Sequence, residues 1–196
     1  MSNLKYKTRG MANPRGLSRV YFACHREDFE KYFEELSDEI LKKQNCAVWY
    51  PEELECERDG EYLDRLSEMQ LFVIPVTAKL LFENNPVVTE ELSFAKEKHI
   101  PVLPIMMETG LEKFFNEKFG ELQFLDKNSA NETAISYDER LTKYLESVLV
   151  GDELAKRIRE ELDGYIFLSY RKKDRRCAQD RWQDRPSRMR RTEPLR

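Results

Sequence analysis

In this chain of 196 residues, Cys24, His25 and Arg26 stand together directly after a short apolar run, RVYFA (19–23). A thiol beside an imidazole raises nucleophilic catalysis. Adjacent residues at a strand end point in different directions, however, so this pair does not make a nucleophile with its base. His25 with Arg26 can instead receive an anionic ligand, the plainer reading being a surface-loop histidine. Trp49 and Tyr50 lie side by side in a second apolar run, so one ring can face a ligand while the other enters a core. The four cysteines, Cys24, Cys46, Cys56 and Cys177, form no CxxC pair, and the only histidines are His25 and His99. No Cys/His zinc cage is expected from that set. Cys24 and Cys46 sit inside apolar runs and read as small buried hydrophobes in a reducing, cytoplasmic setting.

The elements that must position these groups alternate between strand and helix. Arg19 to Ala23 reads as a first strand, and Phe29, Tyr32, Phe33, Leu36 and Ile40 recur at helical spacing after it. Cys46 to Tyr50 is a second strand, stopped by Pro51. An acidic loop, PEELECERDG (51–60), leads to a short helix over 61–68 that presents Leu63 and Leu66. Leu71 to Val76 is nearly all apolar, as in a strand covered on both faces. Helical sequence runs from Thr77 to Lys98 with a break at Asn84-Asn85-Pro86. Ile100 to Met106 is a further strand, whose two prolines suggest an edge or bulge. A helix over 111–119, a short strand over 122–125 and a helix over 138–163 complete the order.

This alternation predicts an α/β fold of the flavodoxin-like, three-layer kind, with a parallel sheet of about five strands. Ligands of such sheets bind beyond the carboxyl ends of the strands, which directs attention to loops 24–28, 51–60, 77–91 and 107–110. No GxGxxG follows the first strand, and neither GxxxxGKS/T nor GxSxG occurs, so dinucleotide, P-loop and nucleophile-elbow readings lack their key turns. A receiver domain would want Asp at the end of the third strand, where this chain has Val76-Thr77.

Composition narrows the classes further. Hydrophobic residues make up 40% and charged residues 36%, which fits a globular chain with a heavily charged surface. No apolar run approaches the roughly 18 residues needed to cross a bilayer, and Met1 to Arg19 carries no signal-peptide core, so neither membrane nor secretion is expected. The net charge of −4 hides an asymmetry. Residues 171–196 hold 11 Lys/Arg against 4 Asp/Glu, leaving 22 against 33 in residues 1–170. A body that acidic argues against nucleic acid as a partner. The expected layout is a disordered N-terminus (1–18), one domain (19–150), a helical linker (151–163), a second beginning (164–176) and a basic disordered tail (177–196).

That second beginning repeats the first. Tyr165 to Asp174 reads as an apolar strand, a polar loop and an Asp, as Tyr21 to Asp28 does, at an offset of about one domain length. The repeat then stops, because residues 180–196 have no aliphatic periodicity. This reads as a truncated second copy, from an interrupted or frame-shifted gene.

Phe167-Leu168-Ser169-Tyr170-Arg171-Lys172-Lys173-Asp174 resembles the first strand and loop of Toll/interleukin-1 receptor (TIR) domains. Val48-Trp49-Tyr50 with Glu52-Glu53-Leu54, then Leu66 to Thr77, then Glu91-Leu92-Ser93-Phe94-Ala95 and His99 to Ile105, are similar to later segments of that family in the same order. The resemblance spans 19–150 and restarts at 164. It implies a self-associating signalling domain of bacterial-type defence or stress responses, with other TIR domains as partners, a homo-oligomeric state and no cofactor. It also implies an alternative, an NAD nucleosidase that cleaves the nicotinamide–ribose bond. In that reading Glu91 is the catalytic carboxylate that stabilises oxocarbenium-like charge, with Glu90 as its neighbouring alternative. Cys24, His25, Arg26, Trp49, Tyr170 and Arg171 then match substrate-binding positions, with no metal. Departures are visible: Ala23-Cys24-His25 replaces Ser-Tyr-Arg in the first copy, and Val87-Val88-Thr89 precedes the glutamate. The plain alternative for Glu91 is a solvated or dipole-favoured helix residue.

Overall fold

The computed structural model describes residues 4–54, 59–83, 85–120, 122–128 and 135–150. The linker, the second beginning with Tyr170 and Arg171, the basic tail, Cys56 and Cys177 all lie outside them. Among the described residues six strands form one sheet: β1 (Leu4–Thr8), β2 (Ser18–Phe22), β3 (Cys46–Pro51), β4 (Leu71–Val76), β5 (Val102–Met106) and β6 (Leu125–Asp126). Their order is β1-β3-β2-β4-β5-β6. All neighbours pair in parallel except β1 with β3. Without β1 this is the flavodoxin-like order, so the expected fold class holds.

The helices are α1 (Phe29–Lys43), α2 (Gly60–Leu66), α3 (Ala78–Phe82), α4 (Leu92–Glu97), α5 (Glu112–Phe119) and α6 (Tyr137–Leu145), with π turns over Val87–Glu91 and Glu146–Val150. None is long and apolar enough to cross a membrane. Period-two alternation along β2 divides the core between the two faces of the sheet. Val20 and Phe22 join Leu36 and Ile40 of α1 and Leu141 and Leu145 of α6 on one face. Tyr21 and Ala23 join Tyr62, Leu66, Leu80 and Phe115 on the other. Each fully buried side chain of this size stabilises the fold by about 1.5–3 kcal/mol. Cys24 and Cys46 are buried free thiols, as expected for small hydrophobes.

Two expectations need correction. Residues 4–18 are not disordered. Leu4–Thr8 is a strand whose register runs antiparallel from Leu4 opposite Pro51 to Thr8 opposite Ala47. Tyr6 packs on Trp49 at 5.1 Å between ring centroids, and Lys7 pairs with Glu34 and Asp38 of α1. The segment was hard to read because only Leu4 and Tyr6 are apolar, so its order comes from the edge of β3 that it completes. The short last strand is Leu125–Asp126 rather than 122–125. It covers only Ile105 and Met106 of β5, so the outer side of β5 stays open at Pro104, where proline has no N–H to offer.

Deleting residues 1–8 exposes the edge of β3. The expected result is a thermal midpoint lowered by several degrees and concentration-dependent aggregation, measured by differential scanning fluorimetry and light scattering.

Candidate functional site at the switch point

After β2 the chain turns to α1 on one face of the sheet, and after β4 it turns to α3 on the other. The carboxyl ends of these neighbouring strands therefore form the topological switch point, where open α/β sheets bind ligands. The groups there are Cys24 and His25 after β2, Asp28 at the start of α1, and Thr77 after β4.

Hydrogen bonds within the protein fill this crevice. The Thr77 hydroxyl donates to the buried Asp28 carboxylate at 2.6 Å. Thr77 Oγ1 in turn accepts from the Leu80 N–H and caps α3. The Glu108 carboxylate, from the loop after β5, accepts from the Ala78 N–H at 3.0 Å. His25 is only 4% exposed. Its Nδ1 accepts from the Glu27 N–H at 3.4 Å, and its Nε2 lies 3.3 Å from the Glu83 carboxylate. That pattern suits an imidazole with its proton on Nε2, and it occupies both nitrogens. His25 is thus no surface-loop residue, and neither nitrogen points to a ligand in this arrangement. The Cys24 thiol donates to the His25 carbonyl oxygen at 3.2 Å. Burial, then the charges of Asp28 and Glu91, push its pKa far up, so it stays a thiol and is no nucleophile at neutral pH. Arg26 is exposed on the short 3-10 turn Arg26–Asp28.

The burial of Glu91 departs from what its surroundings in the sequence suggest. Glu91 is 0% exposed, while Glu90 beside it is exposed. Asn85-Pro86 starts this helix in the usual way: Asn85 Oδ1 accepts from the Val88 N–H, and Pro86 follows at the first helical position. The β-branched run Val87-Val88-Thr89 is poorly suited to a tight α-helix, and the turn is a π turn, closed by the Leu92 N–H donating to the Val87 carbonyl. Such turns recur at functional positions. It carries Glu91 inward, where Oε1 accepts from the Tyr21 hydroxyl at 3.0 Å and the Tyr62 hydroxyl at 3.3 Å. The two hydroxyl oxygens are also within hydrogen-bond distance of each other, so their two protons are shared among the three contacts. Tyr21 comes from the middle of β2 and Tyr62 from α2, which begins at the Asp59 cap. Both rings are fully buried. A carboxylate removed from water is tolerated only with such partners. The solvated-helix reading of Glu91 therefore does not hold.

Trp49 lies opposite Tyr21 in the register of β3 and β2. Its ring is held by Tyr6 on one side and by Arg19, 5.8 Å from the ring centroid, on another. Tyr50 enters the other face, against Phe29 and Phe33. The two rings thus enter opposite faces of the sheet, each packed against the protein, and Trp49 sits at the β1 edge. The structure brings Glu91 and Cys24 near one another and places Trp49 apart, beside Tyr21. Tyr21 and Tyr62 were missed. Tyr62 sits in a helix whose buried face reads Leu63 and Leu66 in sequence, and no spacing links residues 21, 62 and 91. Among the described residues no group of three or more His, Cys, Asp and Glu is placed to hold a metal ion.

Neither protein-family models nor curated proteins yield a match to this chain.

Replacing Glu91 removes the acceptor that Tyr21 and Tyr62 share. Glu91→Ala is expected to destabilise the protein by about 2–4 kcal/mol, from the cavity and the lost carboxylate acceptor together. Glu91→Gln keeps an acceptor and loses less. Urea unfolding of the two variants beside the parent checks this order, and equal losses would contradict it.

Proposed function

We propose that this chain is a TIR-like signalling module that acts by self-association, its switch point closed by its own hydrogen bonds. The observation that carries this reading is an aromatic pair on the outside of the fold. Phe82, ending α3, is 60% exposed and Phe114, on α5, is 44% exposed, and their rings meet edge to face at 5.1 Å. Paired aromatic rings left in water are common anchors of protein interfaces. Two features of the switch point agree with it. Asp28, Glu83 and Glu91 gather there, a charge pattern unfavourable to the phosphates of a dinucleotide. Cys24 and His25 stand where TIR-like enzymes would carry Ser-Tyr-Arg, and both are buried and engaged.

The partner in this reading is a second copy or another TIR-like domain. Sedimentation velocity at rising concentration is expected to show reversible association, reduced at least tenfold in affinity by Phe82→Glu combined with Phe114→Glu. A parent protein that stays monomeric throughout would overturn the reading, as would a double variant that associates equally well.

A second reading rests on a different observation. A fully buried glutamate with two tyrosine donors beside the switch point is also what cleavage of an N-glycosidic bond would use. The carboxylate would stabilise positive charge developing on the ribose of NAD, and the hydroxyls would orient it. In this conformation the carboxylate is enclosed, so α2 or the π turn must first move. Nicotinamide release from NAD at high protein concentration, abolished by Glu91→Gln, would favour this reading. No release from the folded parent would end it.

A further inference from the structure

A groove of about 650 Å³ lies between α4, α5 and the amino end of β5, away from the carboxyl ends of the strands. Its floor is apolar, built by Val88 of the π turn, Leu92, Phe119 and Leu122. Its rim carries two lysines, Lys96 and Lys118, and the imidazole of His99. That concentration of basic groups stands out on a body whose residues 1–170 carry 33 acidic against 22 basic side chains.

Two of the rim groups are held in place. Lys118 Nζ donates to the Leu81 carbonyl at 2.6 Å and to the Leu80 carbonyl at 3.4 Å, which fixes the ammonium at the end of α3. His99 has a left-handed backbone, φ +57°. It closes α4, with its N–H donating to the Lys96 carbonyl and the Ile100 N–H reaching back to Ala95. Glycine or asparagine ordinarily fills such a closing position, since a β-carbon is strained there. Histidine in its place sets an imidazole on the rim of the groove. Lys96 has no ion pair among the described residues, so its charge is not committed elsewhere.

We propose that this groove binds a small amphipathic anion. Its apolar body rests on Val88, Leu92, Phe119 and Leu122, and its anionic head lies among Lys96, His99 and Lys118. The volume falls within the range of pockets that take small organic ligands, and an apolar floor with a few convergent polar groups is their usual construction. Val88 belongs to the π turn that carries Glu91 and Leu92 to the start of α4 directly after it, so the ligand would pack on the outer side of the segment whose inner side holds the buried carboxylate. Neither the Phe82–Phe114 rings nor the Glu91 carboxylate lines the groove.

The test is fluorescence titration of the full chain with anilinonaphthalene sulfonate, an aromatic anion of suitable size, alongside the neutral dye phenylnaphthylamine. Saturable binding at one site per chain is expected. Lys96→Glu should weaken the sulfonate roughly fivefold, the scale of one exposed charge pair, and leave the neutral dye unchanged. Ser93→Trp, which fills the mouth of the groove from an exposed position, should remove both dyes. Phe82→Glu should alter neither. Circular dichroism confirms that each variant is folded, and Lys96→Glu alone decides the matter if Ser93→Trp is not. Non-saturable binding, sulfonate binding indifferent to Lys96→Glu, or dye binding lost with Phe82→Glu would overturn the proposal.

Discussion

The carboxylate of Glu91 has been taken wholly out of water, and three separate parts of the chain must agree for that to be tolerable. Tyr21 brings the middle of β2, Tyr62 brings α2, and the π turn brings the glutamate itself. A buried acid without donors would destabilise the fold by several kcal/mol. The contact therefore fixes the seating of α2 and of the π turn on the sheet far more tightly than apolar packing alone, which accepts many near-equivalent arrangements. Leu66, Leu80 and Phe115 fill the rest of the same face.

The same economy governs the switch point. An open α/β sheet leaves a crevice where its crossovers diverge, and in this chain the described residues at its edge bond to one another. Thr77 bonds Asp28, Glu108 caps α3, and His25 spends both ring nitrogens on neighbouring loop residues. The hydrogen bonds there and the exposed aromatic rings on α3 and α5 are the two features on which the proposed self-association rests. Catalysis would require the Glu91 contacts to be exchanged for contacts to a substrate, a conformational step whose free-energy difference includes the loss of the two tyrosine hydrogen bonds.

The fold was largely legible because it rests on periodicity. Near-continuous apolar runs marked β4 and β5, helical spacing marked α1, and the strand–helix alternation implied the parallel order that is found. The Asn85-Pro86 break likewise marks the start of the π turn. What escaped reading depends on tertiary neighbours. Leu4–Thr8 is a strand because β3 offers it an edge, and its own sequence is mostly polar. Glu91 was singled out by resemblance, but its burial was invisible, since Tyr21 looked like an ordinary strand residue and Tyr62 like one polar-tipped residue of a short helix. His25 was misjudged for the same reason: a polar residue in a loop is usually exposed, and here Glu83 and the Glu27 backbone receive it.

The groove beside α4 and the aromatic pair beside α5 lie on surfaces of the side of the sheet that holds Glu91, so the seating of the π turn bears on both. Whether that seating rests on Glu91 is open to direct measurement by a double-mutant cycle in urea, using the parent, Tyr62→Phe, Glu91→Ala and the double variant. The account predicts non-additive losses, with a coupling of about 1 kcal/mol or more between the two positions. Losses that simply add would mean that the hydroxyl and the carboxylate do not support one another, and would contradict it.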